Sequence, residues 1–263
     1  MTDYRADAYD DFWDVYPAWV TTAPPQTVAG GAWFAKQMAS SAGPVCELGV
    51  GDGRVAIPAA LAGAEVIGVD GSQKMLDRLM QAAEAAGVAD RITPVRADMR
   101  DFALDAPVSM VTIPFHSIGH MLSSDDKLAC MRAAHAALAP GGQFLWDHFV
   151  FDPAIARMGA FMALRTTYES PLTGRRGYLF ASHRAQFATQ RLDVVVRSDE
   201  VDERGVVVEQ RYRQLDYSWI EPAQSRELLA QAGFEVAAAY GDFDGTPLGD
   251  DAKHQVWVAR RGA

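Results

Sequence analysis

Apolar segments of strand length alternate with helical segments from Val45 to Phe149, and this alternation constrains the fold more than any other feature. The segments with a strand pattern are Val45–Gly49, Glu65–Asp70, Ile92–Arg96, Val108–Ile113 and Phe144–Phe149. Helices are predicted over residues 54–62, 72–86, 125–138 and 222–232. Strands that alternate with helices form a parallel sheet with right-handed crossovers. The sequence therefore predicts an α/β fold.

A different pattern interrupts the alternation after the fifth strand. Extended segments are predicted at Leu164–Glu169, Tyr178–Phe187, Arg191–Val201 and Val206–Trp219, with a hairpin turn at residues 202–205. They favour an antiparallel β-meander inserted into the α/β core. The chain then returns to the core with the last predicted helix and two further strands, Phe234–Tyr240 and His254–Arg260.

Two helical segments are predicted ahead of the first strand. Residues 3–20 have the pattern of an amphipathic helix that is rich in aromatic side chains. Tyr9 and Tyr16 are seven positions apart and would therefore share one face of this helix. A proline pair at 24–25 opens the second helix, which continues to about Met38.

Length, charge and cysteine content limit the classes of function. The 263 residues fit one large domain, or a core domain with an insertion. The net charge of −10 argues against a nucleic-acid partner, because that binding depends on Lys and Arg neutralising phosphates. Cys46 and Cys130 lie in apolar patterns and are expected to be buried free thiols. With no basic leader and no apolar run of about 18 residues, we expect a cytoplasmic protein without a membrane span.

The strongest local signal is the stretch Val45–Arg54, in which a strand leads into a loop with glycine at every second position and then into a helix. Glycine lets the backbone approach a ligand closely, and a helix N-terminus offers free N–H groups. The spacing is G-x-G-x-G, whereas the dinucleotide-binding fingerprint has G-x-G-x-x-G. Taken alone, the stretch is also compatible with an ordinary tight turn between a strand and a helix.

Acidic residues follow the next two strands. Asp70 ends the second strand, 21 residues after Gly49, where a carboxylate can accept hydrogen bonds from both ribose hydroxyls. The alternative is that Asp70 caps the following helix, a role for which Ser72 is an equal candidate. Asp98 and Met99 follow the third strand and suit an adenine amino group and ring, although Asp98 can also be read as a solvated loop residue.

Together these strand ends resemble the successive motifs of class I S-adenosylmethionine-dependent methyltransferases. The matching stretches are Glu47–Arg54, Asp70-Gly71-Ser72 with Met75-Leu76, Ala97–Arg100, Leu138–Gly142, Ala232-Gly233-Phe234 and Val256–Arg260. The resemblance implies a Rossmann-like sheet of seven strands, the last of them antiparallel, and S-adenosylmethionine as the cofactor. It implies that Asp70 holds the ribose and that Asp98 and Met99 hold the adenine. The cofactor-site residues that it implies are Glu47, Gly49, Gly51, Gly53, Arg54, Asp70, Gly71, Met75, Asp98, Met99 and Pro114.

In that family the end of the fourth strand lies beside the transferred methyl group. Here Ile113-Pro114-Phe115 stands where DNA amino-methyltransferases carry Asp or Asn before Pro-Pro-Tyr or Pro-Pro-Phe, which argues against that substrate class. Phe115 is a candidate for lining the methyl pocket, and His116 and His120 are candidate bases. Either histidine could instead cap the next helix or bond the cofactor. His148, at the end of the fifth strand, is a further site candidate, with a surface position as the alternative.

The segment Ala97–Phe102, the end of the fourth strand and the meander after the fifth carry a narrower likeness, to actinobacterial natural-product N-methyltransferases that act on amino sugars and lincosamide-type amines. It implies that residues 1–42 form a helical lid, with Tyr9 and Tyr16 over the cofactor, and that residues 43–150 and 221–263 form the cofactor-binding core. Residues 151–220 would form the meander, which caps the substrate pocket or makes the contact of a homo-oligomer. The alternative for the aromatic stripe is that it belongs to the core.

The function predicted from these features is methyl transfer to an amine nitrogen of a small molecule, in the biosynthesis of an antibiotic or similar product. Methylation of oxygen or carbon is the alternative, because the histidines would serve a phenol or a carbon acid equally well. An NAD-dependent oxidoreductase is opposed by the glycine spacing and by Asp98. A protein that binds S-adenosylmethionine without catalysis is a further alternative. Because the chain shows no metal-ligand spacing, no metal is expected.

Overall fold

The computed structural model describes residues 5–22, 25–153 and 161–262, which contain two β-sheets. The strands of the first sheet are β1 Val45–Leu48, β2 Val66–Asp70, β3 Ile92–Arg96, β4 Val108–Ile113, β5 Leu138–Phe149, β10 Phe234–Tyr240 and β11 His254–Arg261. Those of the second are β6 Ala163–Glu169, β7 Arg176–Gln186, β8 Arg191–Val201 and β9 Val207–Ser218. The first sheet has the strand order β10-β11-β5-β4-β1-β2-β3, and the second has the order β6-β7-β8-β9.

Strands β1 to β5 pair in parallel, and β11 runs antiparallel to its neighbours β5 and β10. The predicted α/β class, the seven-stranded sheet and its antiparallel last strand are therefore confirmed. Helices accompany this sheet: α2 Pro25–Ala39, α3 Ala56–Leu61, α4 Gln73–Ala85, α5 Ser124–Ala137 and α6 Pro222–Gln231. Every residue of β1 is buried, which explains its uniformly apolar pattern apart from Glu47.

The inserted segment forms the second sheet, in which β6, β7, β8 and β9 pair antiparallel in chain order. The antiparallel meander predicted after the fifth strand is thus present. Residues 1–4, 23–24, 154–160 and 263 lie outside the described residues, so the start of the first predicted helix and the first of the two prolines, Pro24, are not part of this description.

The prediction of one continuous helix over residues 3–20 is wrong. The described part contains a 3-10 turn, Ala8–Asp11, and a short helix α1, Tyr16–Val20, joined by hydrogen-bonded turns. Pro17 stands in the first turn of α1, where its missing N–H costs no hydrogen bond, so it begins a helix here. Phe12 and Val15 are buried against the four-stranded sheet. Packing against that sheet overrides the helical periodicity.

Strand β5 begins at Leu138 and not at the predicted Phe144, and α5 ends at Ala137. The Pro-Gly-Gly sequence at 140–142 is typical of a helix stop, but it lies within this strand. Gly141 adopts φ of 76°, and the register between β4 and β5 shifts between Val108 and Met110. The glycine conformation lets the chain absorb this irregularity and remain in the sheet.

Candidate active site

A cavity of about 390 Å³ lies at the carboxyl ends of the parallel strands, with walls contributed by the N-terminal segment and the four-stranded sheet. The carboxyl end of a parallel sheet is where open α/β folds bind ligands. Thirteen of the candidate residues line this cavity: Tyr9, Tyr16, Glu47, Gly49, Gly51, Arg54, Asp70, Gly71, Met75, Met99, Phe115, His116 and His120.

The glycine loop and Asp70 are joined by backbone hydrogen bonds. Gly49 and Gly51 have φ of 70° and 56°, the left-handed region that glycine adopts without steric cost. The N–H groups of Gly51 and Ser72 each donate to a different oxygen of Asp70 at 2.9 Å. Ser72 is the N-cap of α4, because its side chain accepts from the N–H of Met75. Asp70 is therefore not the helix cap, and burial raises its pKa to about 6.

Glu47 presents a carboxyl group to the same cavity. Its side chain is buried, and its Oε2 atom has no hydrogen-bond partner among the described residues. Burial, followed by the carboxylates of Asp70 and Asp52, raises the pKa of Glu47 well above its usual value. A buried carboxyl with spare hydrogen-bonding capacity in a cavity wall is suited to a polar group of a ligand.

Three of the predicted cofactor contacts do not line the cavity. Gly53 has φ of 91°, and a Cβ there would lie 2.5 Å from Leu79, so this glycine serves packing beneath the loop. The Asp98 carboxylate accepts from the Arg100 guanidinium, with Nη2 at 2.7 Å, which draws it away from the cavity. The carbonyl of Pro114 accepts from the Ser117 side chain at 2.8 Å, which closes the turn after β4.

The chain after β4 turns sharply at Phe115 and His116, whose φ angles are 56° and 63°. Left-handed backbone is uncommon for residues with a side chain and marks sites where the surroundings enforce it. The Arg54 guanidinium lies over the Phe115 ring, 4.2 Å from its centroid, and the Tyr217 hydroxyl donates to the His116 carbonyl. These contacts hold the Phe115 ring and the His116 backbone at the cavity wall.

His120 lines the cavity but is a poor candidate base. Its Nε2 lies 3.1 Å from the Tyr9 hydroxyl, and burial lowers its pKa to about 4. A group with this pKa is neutral at pH 7 but takes up a proton weakly. His116 lines the same wall, and its Nδ1 lies 3.0 Å from Asp147 Oδ2.

The expectation that His148 lines the site is wrong, and so is its alternative of a surface position. Its side chain is fully buried, its Nε2 lies 3.1 Å from the carbonyl of Ser218, and burial lowers its pKa well below the usual value. It packs behind Gly119, where an added Cβ would lie 2.9 Å from the ring. His148 therefore packs behind the turn that follows β4 and does not line the cavity.

Sequence reasoning missed several lining residues: Trp19, Arg165, Val194, Leu215 and Tyr217. Most of them come from the four-stranded sheet. Leu215 and Tyr217 are two positions apart in β9 and therefore share one face. That period was visible in the sequence, but which face of the strand meets the cavity was not.

Comparisons with known proteins agree with this geometry. A family profile described as a methyltransferase domain matches residues 45–142. The cypemycin N-terminal methyltransferase of a Streptomyces species is 26% identical over 230 residues, which cover 88% of this chain and 88% of the relative. Among solved structures, the CcbJ methyltransferase from Streptomyces caelestis is 28% identical with a TM-score of 0.80, covering 99% of this chain and 100% of that chain.

CalS10, an amino pentose methyltransferase from Micromonospora echinaspora solved with bound S-adenosylmethionine, is 18% identical with a TM-score of 0.68, over 94% of this chain and 96% of that chain. At that identity the likeness concerns the fold. No helix among the described residues is long and apolar enough to cross a membrane. The profile match, the relatives and the three strand ends that meet at one cavity identify this chain as an S-adenosylmethionine-dependent methyltransferase.

Proposed function

We propose that the protein transfers a methyl group to an amine nitrogen of a small molecule in natural-product biosynthesis. One observation carries the proposal: a single cavity runs from Asp70 and the glycine loop to a set of aromatic rings and His116. The chain's similarity to an N-terminal methyltransferase and the fold it shares with an amino pentose methyltransferase point to amine acceptors.

The residues at the loop end of the cavity fit the cofactor. We propose that Asp70 accepts the ribose hydroxyls, that Met99 packs on the adenine, and that the open Oε2 of Glu47 receives a polar group of the methionine part. Gly51 lies at this end of the cavity, where an added Cβ would stand at ordinary contact distance from Met75 and the Tyr16 hydroxyl, 3.5 and 3.6 Å. S-adenosylmethionine supplies an electrophilic methyl group when it is bound.

The other end of the cavity suits an amine acceptor. The rings of Tyr9, Tyr16, Phe115 and Tyr217 surround it, exclude water and favour a cationic group by contact with their faces. An ammonium ion has no lone pair, so the acceptor must lose a proton before its nitrogen can attack. His116 is placed to take that proton, since its ring lines the wall.

We further propose that the segment up to residue 42 is a lid and that the four-stranded sheet caps the acceptor pocket. The N-terminal segment lines the cavity with Tyr9, Tyr16 and Trp19. The four-stranded sheet lines it with Arg165, Val194 and Leu215. Asp10 fastens the N-terminal segment beside the cofactor site, because its carboxylate accepts from the Ser72 hydroxyl at 2.5 Å.

We also propose that the protein forms a homo-oligomer through the outer face of the four-stranded sheet, which is the face that carries Phe180 and Tyr212. Strand register aligns Leu164, Phe180, Arg197 and Tyr212 in one row across the four strands. Leu164 and Tyr212 are 54% and 60% exposed at its two ends. Arg197 lies over the Phe180 ring in the middle of the row, 4.1 Å from its centroid, and exposed apolar side chains such as Leu164 and Tyr212 favour association.

A product screen tests the proposed activity. The protein is incubated with S-adenosylmethionine and a panel of amino pentoses and peptides with free N-termini, alongside matched acceptors in which a hydroxyl replaces the amine. We expect a methyl group on nitrogen, detected by mass spectrometry with fragmentation, and none on the hydroxyl analogues. Methylation of the hydroxyl analogues alone, or of carbon, would contradict the proposal.

A further inference from the structure

Three titratable side chains meet behind the cavity wall that His116 forms. His116 Nδ1 and His254 Nε2 each lie 3.0 Å from Oδ2 of Asp147. The side chain of Asp147 is only 2% exposed, and those of His116 and His254 are 19% and 11% exposed. The three residues come from the turn after β4, from β5 and from the first position of β11. The fold therefore assembles this group from distant parts of the chain.

We propose that Asp147, held by His254, is a positioning residue that keeps the proton of neutral His116 on Nδ1 and leaves Nε2 to accept a proton from the substrate. The role of His116 as the base rests on the proposed N-methyltransferase function. The position of the proton on Nδ1 does not depend on that function.

The geometry of the imidazole ring supports this assignment. The two ring nitrogens point in different directions, and the proton on one is set by what the other contacts. His116 Nδ1 is buried and lies 3.0 Å from Asp147 Oδ2, so a proton on Nδ1 is stabilised by the negative charge of the carboxylate, although the N–H is not aligned with it as a hydrogen bond. Because the ring also lines the cavity, Nε2 remains for the acceptor.

The surroundings keep the three groups in place. His254 Nε2 lies at hydrogen-bond distance from the same carboxylate oxygen, which opposes rotation of Asp147 away from His116. The hydroxyl of Tyr217 donates to the His116 carbonyl and fixes the backbone behind the ring. Positioning by a second residue is how a base is held in the correct tautomer in other proton-transfer sites.

The charges around His116 are also consistent with this role. Burial would raise the pKa of Asp147, but the imidazoles of His116 and His254 hold it well below its usual value, so the carboxylate is ionised. His148 lies 5.6 Å from His116 between ring centroids, and burial lowers its pKa, so it is neutral at pH 7. Burial raises the pKa of Tyr217 well above 10.0, so that hydroxyl also stays neutral.

The proton balance of the step is complete. An N–H bond of the acceptor ammonium breaks as an N–H bond forms on His116 Nε2, and the electron pair stays on the acceptor nitrogen. That pair forms the new N–C bond while the C–S bond to the methyl group breaks, leaving S-adenosylhomocysteine. The imidazolium of His116 is stabilised by Asp147 until it releases its proton to solvent.

Nitrogen-15 NMR of histidine tests the arrangement without any acceptor. The full chain contains six histidines, and it is labelled with [¹⁵N]histidine and titrated from pH 5 to 9 with S-adenosylhomocysteine present, His116→Asn serving to assign the signal. We expect the neutral His116 ring to carry its proton on Nδ1. In Asp147→Asn we expect the proton to move to Nε2 and the titration midpoint to fall by about one pH unit, because an ionised partner is lost.

His254→Phe is the matched variant. It removes a donor to Asp147 and leaves the carboxylate to His116 alone, so the midpoint should move in the opposite direction, to higher pH. An unchanged tautomer and midpoint in a natively folded Asp147→Asn would overturn the proposal; if that variant does not fold, an unchanged or lowered midpoint in His254→Phe would do so. The same three side chains could bind a transition metal. Stoichiometric Zn²⁺ that shifts the His116 and His254 signals together would likewise overturn it.

The pH dependence of turnover links the arrangement to catalysis. With an amine acceptor from the product screen, Asp147→Asn should lower kcat and move the acidic limb of its pH profile to lower pH, at an unchanged Kd for S-adenosylmethionine. A merely structural aspartate would lower activity without moving that limb. Failure of the amine screen with the NMR result intact would reject the proposed function and leave the His116 assignment standing.

Discussion

The Tyr9 hydroxyl and His120 Nε2 lie 3.1 Å apart, although 111 positions separate the two residues in sequence. This contact joins the N-terminal segment to the turn after β4 at the cavity wall. Tyr9→Phe keeps the ring and its edge contacts with Phe12 and Tyr16 and removes only the hydroxyl. We expect turnover to fall about fivefold, with S-adenosylmethionine affinity within twofold, because one hydrogen bond is worth about 1 kcal/mol. Steady-state kinetics and calorimetry measure the two effects, and an equal loss in both would contradict a role at the acceptor end.

Asp70 predicts how cofactor binding depends on pH. Its pKa of about 6 means that the carboxylate takes up a proton as the pH falls through that value. Ribose hydroxyls donate to the ionised form, so affinity for S-adenosylmethionine should be constant above pH 7 and fall by up to about tenfold per unit below pH 6. Asp70→Asn should bind about 10- to 100-fold more weakly at pH 7.5 and lose this dependence. Calorimetry at four pH values is the measurement, and a variant as pH-dependent as the wild type would exclude Asp70.

Gly51 and Gly53 form a matched pair in which one residue faces the cavity and the other the core. Gly51→Ala should cost about 1 kcal/mol of stability and weaken cofactor binding, because its new Cβ enters the cavity wall. Gly53→Ala should cost about 2–4 kcal/mol, since its Cβ would lie 2.5 Å from Leu79 in addition to the φ penalty. Thermal unfolding with and without S-adenosylmethionine separates the two. If Gly53→Ala weakens cofactor binding and is as stable as Gly51→Ala, the assignment of Gly53 to the core and Gly51 to the cavity is contradicted.

The buried side chain of Lys127 should make the free energy of unfolding increase with pH above neutrality. Its side chain is buried, its Nζ donates to Ser218 Oγ at 2.6 Å, and burial lowers its pKa to about 7. Between pH 7 and 10.5 the unfolded chain holds more protons at this site than the folded one, so the free energy of unfolding rises with pH. Relative to Lys127→Met, the wild type should gain roughly 2 kcal/mol from pH 7 to 9. Urea denaturation at both pH values tests this, and parallel curves for the two proteins would refute it.

The outer face of the four-stranded sheet predicts the assembly state. Leu164→Lys combined with Tyr212→Lys places charges at both ends of the exposed row, and we expect an oligomeric wild type to dissociate to monomers. Light scattering after size exclusion gives the mass directly. A surface control is Leu61→Lys, because Leu61 is 62% exposed but lies on α3, away from this sheet. A wild-type monomer, or dissociation by the control alone, would contradict the proposed interface.

The order and type of the core elements were predictable because they depend on local periodicity. Asp70 could be placed at a strand end from the apolar residues before it and the helix signal after it. Met99 follows from the same logic one strand later. The structure contains these features. Both faces of the parallel strands are covered, so their residues are apolar and the strands can be recognised in the sequence.

The direction of individual side chains was not predictable, because it depends on partners far along the chain. Asp98 is drawn to Arg100, which itself bonds Asp126 on α5 at 2.7 Å. Asp147 and His148 are neighbours in β5, so their side chains point to opposite faces of the sheet. Which of the two lies behind the cavity wall could not be predicted from the sequence. The choice is made by the pairing of β5 with β11, where Asp147 lies opposite Val256 and close to His254.

The left-handed backbone at Phe115 and His116 sets a limit on engineering this enzyme. Each of these residues costs about 1–2 kcal/mol relative to an ordinary conformation, and glycine would relieve that strain. At residue 115 the same exchange would also remove a ring that packs against the core and against Arg54, at the cavity wall where we propose that the methyl group is transferred. Selection of variants for heat resistance alone is therefore expected to gain nothing from glycine at residue 115, because the lost packing of the ring offsets the strain that is relieved.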